Sequence, residues 1–189
     1  VWEDASNKES YGVKRRYLLG DQLDSVMNYP FRSAIMNYVL GGSPFDFKNS
    51  IMTILENYPK PSVDVLMNSI STHDIERAIN ILGGESCEGK SKDWMCSHWL
   101  TNEEFELGRN RLKCAMALQY FLPGVPCIYY GDEAGQQGYK DPFNRRCYPW
   151  GKEDTQLIEY TKLLSKVRNS SKVFADGALK FLYIDDNVI

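Results

Sequence analysis

What this 189-residue sequence lacks narrows its class before anything it contains. No apolar stretch is long enough to span a bilayer, so a helical membrane segment is excluded. No basic run stands out. The net charge is -3, and Lys14-Arg15-Arg16 reads as a solvated turn, not as a nucleic-acid footprint. Neither a membrane nor a nucleic acid is therefore expected as a partner. Cysteine is sparse and odd in number, at Cys87, Cys96, Cys114, Cys127 and Cys147. None has metal-ligand spacing, which argues against a disulfide framework and against a zinc site. No metal cluster or cofactor is evident. Cys114 and Cys127 lie among apolar residues and are expected to be buried thiols. Cys87 and Cys96 flank a polar loop and form the one candidate pair. This usage favours a cytoplasmic location and leaves an extracellular one open. The chain also lacks an initiator Met and a signal segment. It is expected to begin inside a larger protein or after processing, and so to be silent on where the parent resides.

What is present suits a globular domain with a substantial core. Aromatics reach 13%, with 12 Tyr and 4 Trp. Two readings follow: core packing with tyrosine hydroxyls at the surface, or aromatic faces for the C–H faces of sugar rings.

The periodicity alternates between strand and helix. Val1-Trp2 reads as a strand end, and residues 3–20 as a polar loop. Leu23–Tyr29 is a short apolar run. Phe31, Ala34, Ile35, Tyr38 and Val39 recur at helical spacing up to Leu40, and Gly41-Gly42-Ser43-Pro44 reads as the stop. Lys48–Tyr58 is a second helix with Ile51, Ile54 and Leu55 on one face, ended by Pro59 and Pro61. Val63–Ser71 reads as a strand and Glu76–Leu82 as a helix closed by Gly83-Gly84. Residues 85–101 read as a loop. Asn102–Phe121 reads as a long helix, with Thr101 and Glu104 as its capping box and Leu112, Ala115, Met116 and Gln119 as its inner stripe. Val125–Tyr130 resembles a strand buried on both faces. A loop to Trp150 precedes a helix over Thr155–Val167. Lys172–Ile189 then alternates towards strands, with Gly177 and Asp185-Asp186-Asn187 as turns. Strands alternating with helices indicate βα units and a parallel sheet, an α/β fold whose polar residues gather just after the strands.

Two segments carry the chemistry. Ser71-Thr72-His73-Asp74-Ile75-Glu76-Arg77 runs from a strand into a polar turn. Some fifty residues on, Leu122-Pro123-Gly124-Val125-Pro126-Cys127-Ile128-Tyr129-Tyr130-Gly131-Asp132-Glu133 does the same. In this order they resemble late conserved regions of the alpha-amylase family of glycoside hydrolases. Val1-Trp2-Glu3-Asp4-Ala5-Ser6, Gly20–Tyr29 and Asp141-Pro142-Phe143-Asn144-Arg145-Arg146 ahead of Trp150 are similar to its neopullulanase, cyclomaltodextrinase and maltogenic amylase branch. The resemblance implies the second half of a (β/α)8 TIM barrel, about strands 5/6 to 8, over residues 1–170. The start of an all-β C-terminal domain would follow over residues 171–189.

It also implies roles. Three carboxylates serve that family: a nucleophile, an acid/base and an Asp that holds the sugar ring. In retaining hydrolysis the first two lie about 5 Å apart across the scissile bond. Asp74 matches the third, and His73 the histidine that bonds sugar hydroxyls. The plain alternative for Asp74 is a helix N-cap. Trp2, Tyr29, Asp141 and Arg145 match substrate-binding positions, where strand-end packing for Trp2 and a loop ion pair for Asp141 and Arg145 are the bland readings. Arg77 and Tyr130 read as structural, and Asp132-Glu133 as cleft rim. The acid/base position falls immediately before Val1, so Glu3 is a loop residue and two of the three carboxylates lie upstream. The implied activity is hydrolysis of alpha-1,4 bonds, with alpha-1,6 bonds as a further candidate, in cyclodextrins, pullulan, starch or maltooligosaccharides, the isolated chain being inactive. A non-catalytic glycan-binding or scaffold member of the fold is the alternative, as is an alpha-glucosidase or transglycosylase. A structural calcium belongs to many family members and would lie in the parent. The half barrel would expose sheet edges, so self-association or a homodimer is expected.

Overall fold

The computed structural model describes residues 9–10, 13–14 and 17–185. The strand end at Val1-Trp2, Glu3 and the turn residues Asp186-Asn187 lie outside these. Contacts group the chain into two units. The first comprises the described residues up to Ser69, Leu118–Cys127 and those from Arg168 onward. The second comprises Ile70–Ala117 and Ile128–Val167.

In the first unit, β1 (Glu9–Ser10) pairs antiparallel with β2 (Val13–Lys14) inside the segment expected as loop. Two-residue strands are too short to carry a period-2 pattern. Helix α1 (Tyr29–Val39) buries Phe31, Ala34 and Ile35, as their spacing predicts, and Asn28 caps it by accepting the Phe31 N–H. Helix α2 (Pro44–Asn57) starts four residues earlier than expected. Pro44, read as a stop, is instead the first helical residue, where a missing N–H costs nothing, and Ser43 caps it. The same rule corrects the next segment. Pro59 and Pro61 do end α2, but they also open α3 (Lys60–Asp64), so the strand expected from Val63 shrinks to β3 (Met67–Asn68).

Three strand segments still lie side by side and parallel. Met27 bridges Met67, and β3 pairs with β4 (Val125–Pro126) in the register Met67↔Val125. A chain of buried amides ties them. Asn28 Nδ2 donates to Asn68 Oδ1 at 2.8 Å, Asn68 Nδ2 to the Pro123 carbonyl at 2.8 Å, and Gln119 Nε2 to the carbonyls of Asn68 and Cys127. Gly124 is required where it stands: its φ is +112°, and a Cβ there would meet Leu66 O at 2.7 Å. Val125 is half-exposed and its run to Tyr130 is not buried on both faces. A strand needs neighbours on both sides for that, and among the described residues β4 pairs only with β3. The strands expected over 172–189 are not found in the described part. Residues 173–176 form a short helix, and no strand is found over 177–185.

In the second unit, α4 (Ala78–Gly83) packs against the first half of α6 (Asn102–Phe121). Their contact is backbone on backbone. A Cβ on Gly83 would meet Glu104 O at 2.2 Å, and one on Gly108 would meet Ile79 O at 2.8 Å. Gly108→Ala is therefore expected to cost about 1–3 kcal/mol by overpacking, read as a lower urea midpoint with an unchanged slope. The capping box holds: the Thr101 N–H donates to Glu104 and the Glu104 N–H to Thr101. Leu112, Ala115 and Met116 are buried as predicted. Cys114 is exposed and Cys127 half-buried, whereas Cys87 is buried. Cys87 and Cys96 are both free thiols. The segment read as loop contains α5 (Lys92–Ser97), capped by Ser91 and held by Trp94, whose ring stacks on His98 at 4.0 Å. Helix α7 (Thr155–Asn169) starts from Asp154, which accepts the Leu157 N–H and an ion pair from Arg109 at 3.0 Å.

Candidate active site

The site is built on the turn that follows β3. His73 Nε2 lies 3.3 Å from Asp74 Oδ1, with the two side chains 56% and 34% exposed. The N-cap reading of Asp74 does not hold. Helix α4 has Arg77 at its N-cap position with no side-chain cap, and the Ala78 N–H is taken by Ser71 Oγ at 2.9 Å. Asp74 is thus free of capping and presents its carboxylate beside an imidazole at the surface.

A buried network holds the turn. Asn144 is fully buried, and its amide nitrogen donates to the carbonyls of His73 at 2.9 Å and Ile75 at 2.7 Å, with Thr72 at 3.3 Å. Those three acceptors bracket Asp74 on both sides. The Asn144 backbone carbonyl in turn accepts from Arg77 Nε at 2.9 Å. Arg77 is itself fully buried. Its Nη1 donates to the Tyr130 carbonyl and to Asp132 Oδ1, and its guanidinium lies 4.1 Å from the Tyr129 ring centre. Its backbone N–H donates to Gly138 O. The structural reading of Arg77 and Tyr130 therefore holds, the Tyr130 hydroxyl donating to the Arg146 carbonyl at 2.8 Å. Burial pushes the Asp132 carboxyl up to about 6, while Arg77 and Ser71 hold it back from going further.

Asn144 also anchors the loop carrying Asp141 and Arg145. These two form an exposed ion pair, Arg145 Nε to Asp141 Oδ1 at 2.6 Å. One asparagine thus bonds the His73–Asp74 turn from the same short helical turn, Phe143–Arg145, that bears Arg145. Tyr29 belongs to the first unit, opens α1 and is 8% exposed. Trp2 lies outside the described residues. Sequence reasoning missed Asn144 and Ser71 as contributors. The only signal for Asn144 was its place inside Asp141-Pro-Phe-Asn-Arg145.

Among the described residues, no group of three His, Cys, Asp or Glu is placed to hold a metal ion. Also among them, no helix is long and apolar enough to cross a membrane. Chemically, an exposed carboxylate and imidazole on a rigid turn can accept and donate hydrogen bonds to hydroxyls and supply negative charge to a cationic centre.

Residues 3–175 match the family described as alpha amylase, catalytic domain. An amylopullulanase of Thermoanaerobacter thermohydrosulfuricus is 38% identical over 99% of this chain, which spans 12% of that relative. A cyclomaltodextrinase of Geobacillus thermopakistaniensis is 30% identical over the whole chain, which spans 27% of it. A solved cyclomaltodextrinase structure superposes with a TM-score of 0.73 and 28% identity, over 90% of this chain and 26% of the other. The chain belongs to the alpha-amylase catalytic-domain family.

Proposed function

We propose that this chain is part of a retaining alpha-glucan hydrolase, contributing barrel strands 5/6 to 8. The observation that carries the reading is the exposed His73–Asp74 turn, clamped from below by Asn144 and Arg77. A carboxylate with no capping task, on a turn whose backbone is clamped, fits the electrostatic partner of an oxocarbenium-like transition state. In this reading Asp74 stabilises the charge that builds on the sugar ring, and His73 bonds its hydroxyls. Asp141 and Arg145 bind a neighbouring glucosyl unit, their mutual ion pair keeping both side chains in place. Trp2 and Tyr29 stay substrate-binding candidates through their match to the family alone. The nucleophile and acid/base are supplied by residues outside this chain.

The names of the relatives, amylopullulanase and cyclomaltodextrinase, support pullulan and cyclodextrins as substrates beside starch. The five free thiols support a reducing compartment. The half-exposed Val125 on β4 supports pairing of that edge, either with the rest of the barrel or with a second copy.

The test is an assay of the full-length protein on cyclodextrin, pullulan and starch, with the 189-residue chain assayed alongside. Turnover by the full-length protein and none by the chain alone is the expected result. A folded full-length protein that binds maltooligosaccharide without turnover would instead identify a non-catalytic binder.

A further inference from the structure

The second unit contains a cavity of about 420 Å³ that none of His73, Asp74, Asp141 or Arg145 lines. Its size falls within the range of small-molecule sites, about 300–1,000 Å³. Trp99, Phe105 and Pro149 give it an apolar wall. Trp99 is 52% exposed, and the Arg146 guanidinium lies 4.2 Å from its ring centre while donating to the Cys96 carbonyl at 2.7 Å. The indole is thereby oriented but not covered. Facing this wall are polar groups that make no side-chain hydrogen bond within the described residues, the ammonium of Lys152 and the carboxylate of Glu153. Gln137 joins them: its oxygen accepts the Leu100 N–H, which fixes the amide and leaves its nitrogen as a donor. Directly after Pro149, Trp150 is 80% exposed with the Tyr148 ring 4.5 Å away.

Leaving large aromatic rings in water forgoes their burial, and the donors and acceptor beside them, open to solvent, suit a ligand with both apolar and hydroxylated faces. A pyranose has that chemistry: its C–H face covers an indole and its hydroxyls take hydrogen bonds at the rim. Lys152 and Glu153 offset each other in charge, so the rim selects neither an anion nor a cation. We propose that this cavity is a second glucan-binding site, separate from the His73–Asp74 turn, with Trp99 as its stacking platform. The choice of an alpha-linked glucosyl ligand rests on the alpha-glucan reading above.

Calorimetry of maltoheptaose with the full-length protein tests this, in an Asp74→Asn background so that bound ligand is not consumed. Two binding events are expected. Trp99→Ala, an exposed position whose loss leaves the fold intact by circular dichroism, weakens one of them about tenfold and spares the other. Asp141→Ala does the reverse. Affinities unchanged by Trp99→Ala, or a single event weakened equally by both substitutions, would overturn the second site. A full-length protein that binds no maltooligosaccharide at all would instead overturn the alpha-glucan reading, and the ligand assignment with it.

Discussion

Asp74→Asn in the full-length protein is expected to lower kcat on pullulan or cyclodextrin by about a thousandfold, with little change in KM. The substitution preserves size and hydrogen bonding and removes only the charge. The clamp on the turn acts through the backbone carbonyls of residues 72, 73 and 75, not through the Asp74 side chain. The turn geometry should therefore survive the change. What is lost is negative charge beside a ring that becomes positive only in the transition state, which is why kcat falls and ground-state binding does not. Steady-state kinetics on the purified variant read this directly. An equal fall for kcat and for thermal stability would mean that Asp74 supports the fold instead.

Arg77→Ala is expected to be the most destabilising single change in the chain, at about 3–5 kcal/mol near neutral pH. It removes a fully buried guanidinium that bonds Asn144, Tyr130 and Asp132 and lies against the Tyr129 ring. It also leaves the Asp132 carboxylate buried without its cation. The pH dependence follows from that group. Burial already pushes Asp132 up to about 6 with Arg77 present. The folded state thus holds a proton that the unfolded chain has already released, and the contribution of Asp132 to stability declines as pH rises from about 4 to about 6. Above that window the decline is complete. Removing Arg77 takes away the main influence that opposes the upward shift, so the window extends to higher pH. Urea unfolding of Arg77→Ala should accordingly show a larger deficit at pH 7.5 than at pH 5. Adding Asp132→Asn should recover part of the loss, because a neutral amide does not need the missing cation. Equal deficits at both pH values would show that Asp132 is not the group left uncompensated.

The sequence made the exposed face of the site legible and its foundation invisible. His73 and Asp74 stand out as polar residues after an apolar strand, and Thr101 with Glu104 marks a helix start by chemistry that is local in the chain. Asn144 does its work some seventy residues away, against backbone carbonyls, and such bonds leave no trace in periodicity. Arg77 read as structural, yet its partners Asn144, Tyr130 and Asp132 became known only from the fold. Strands were overextended for a related reason. The apolar run over 63–71 reports burial and that over 125–130 only partial burial, whereas strand limits are set by hydrogen-bonded neighbours, which reach only Met67–Asn68 and Val125–Pro126. Cys114 shows the opposite error. Its neighbours in sequence are apolar, but on a helix it points away from Leu112, Ala115 and Met116, and it is exposed. Helix α5 escaped notice because no residue in it is buried, so it has no apolar stripe to find.

The role proposed for the His73–Asp74 turn is to hold the sugar ring at the point of cleavage. A crystal structure of the full-length protein carrying Asp74→Asn, soaked with a maltooligosaccharide, tests it most directly. The expected result is a glucosyl ring with hydroxyls within hydrogen-bonding distance of the His73 imidazole and of the side chain at position 74, and a second ring against Asp141 and Arg145. A bound oligosaccharide that leaves the turn unoccupied and contacts neither residue would contradict it.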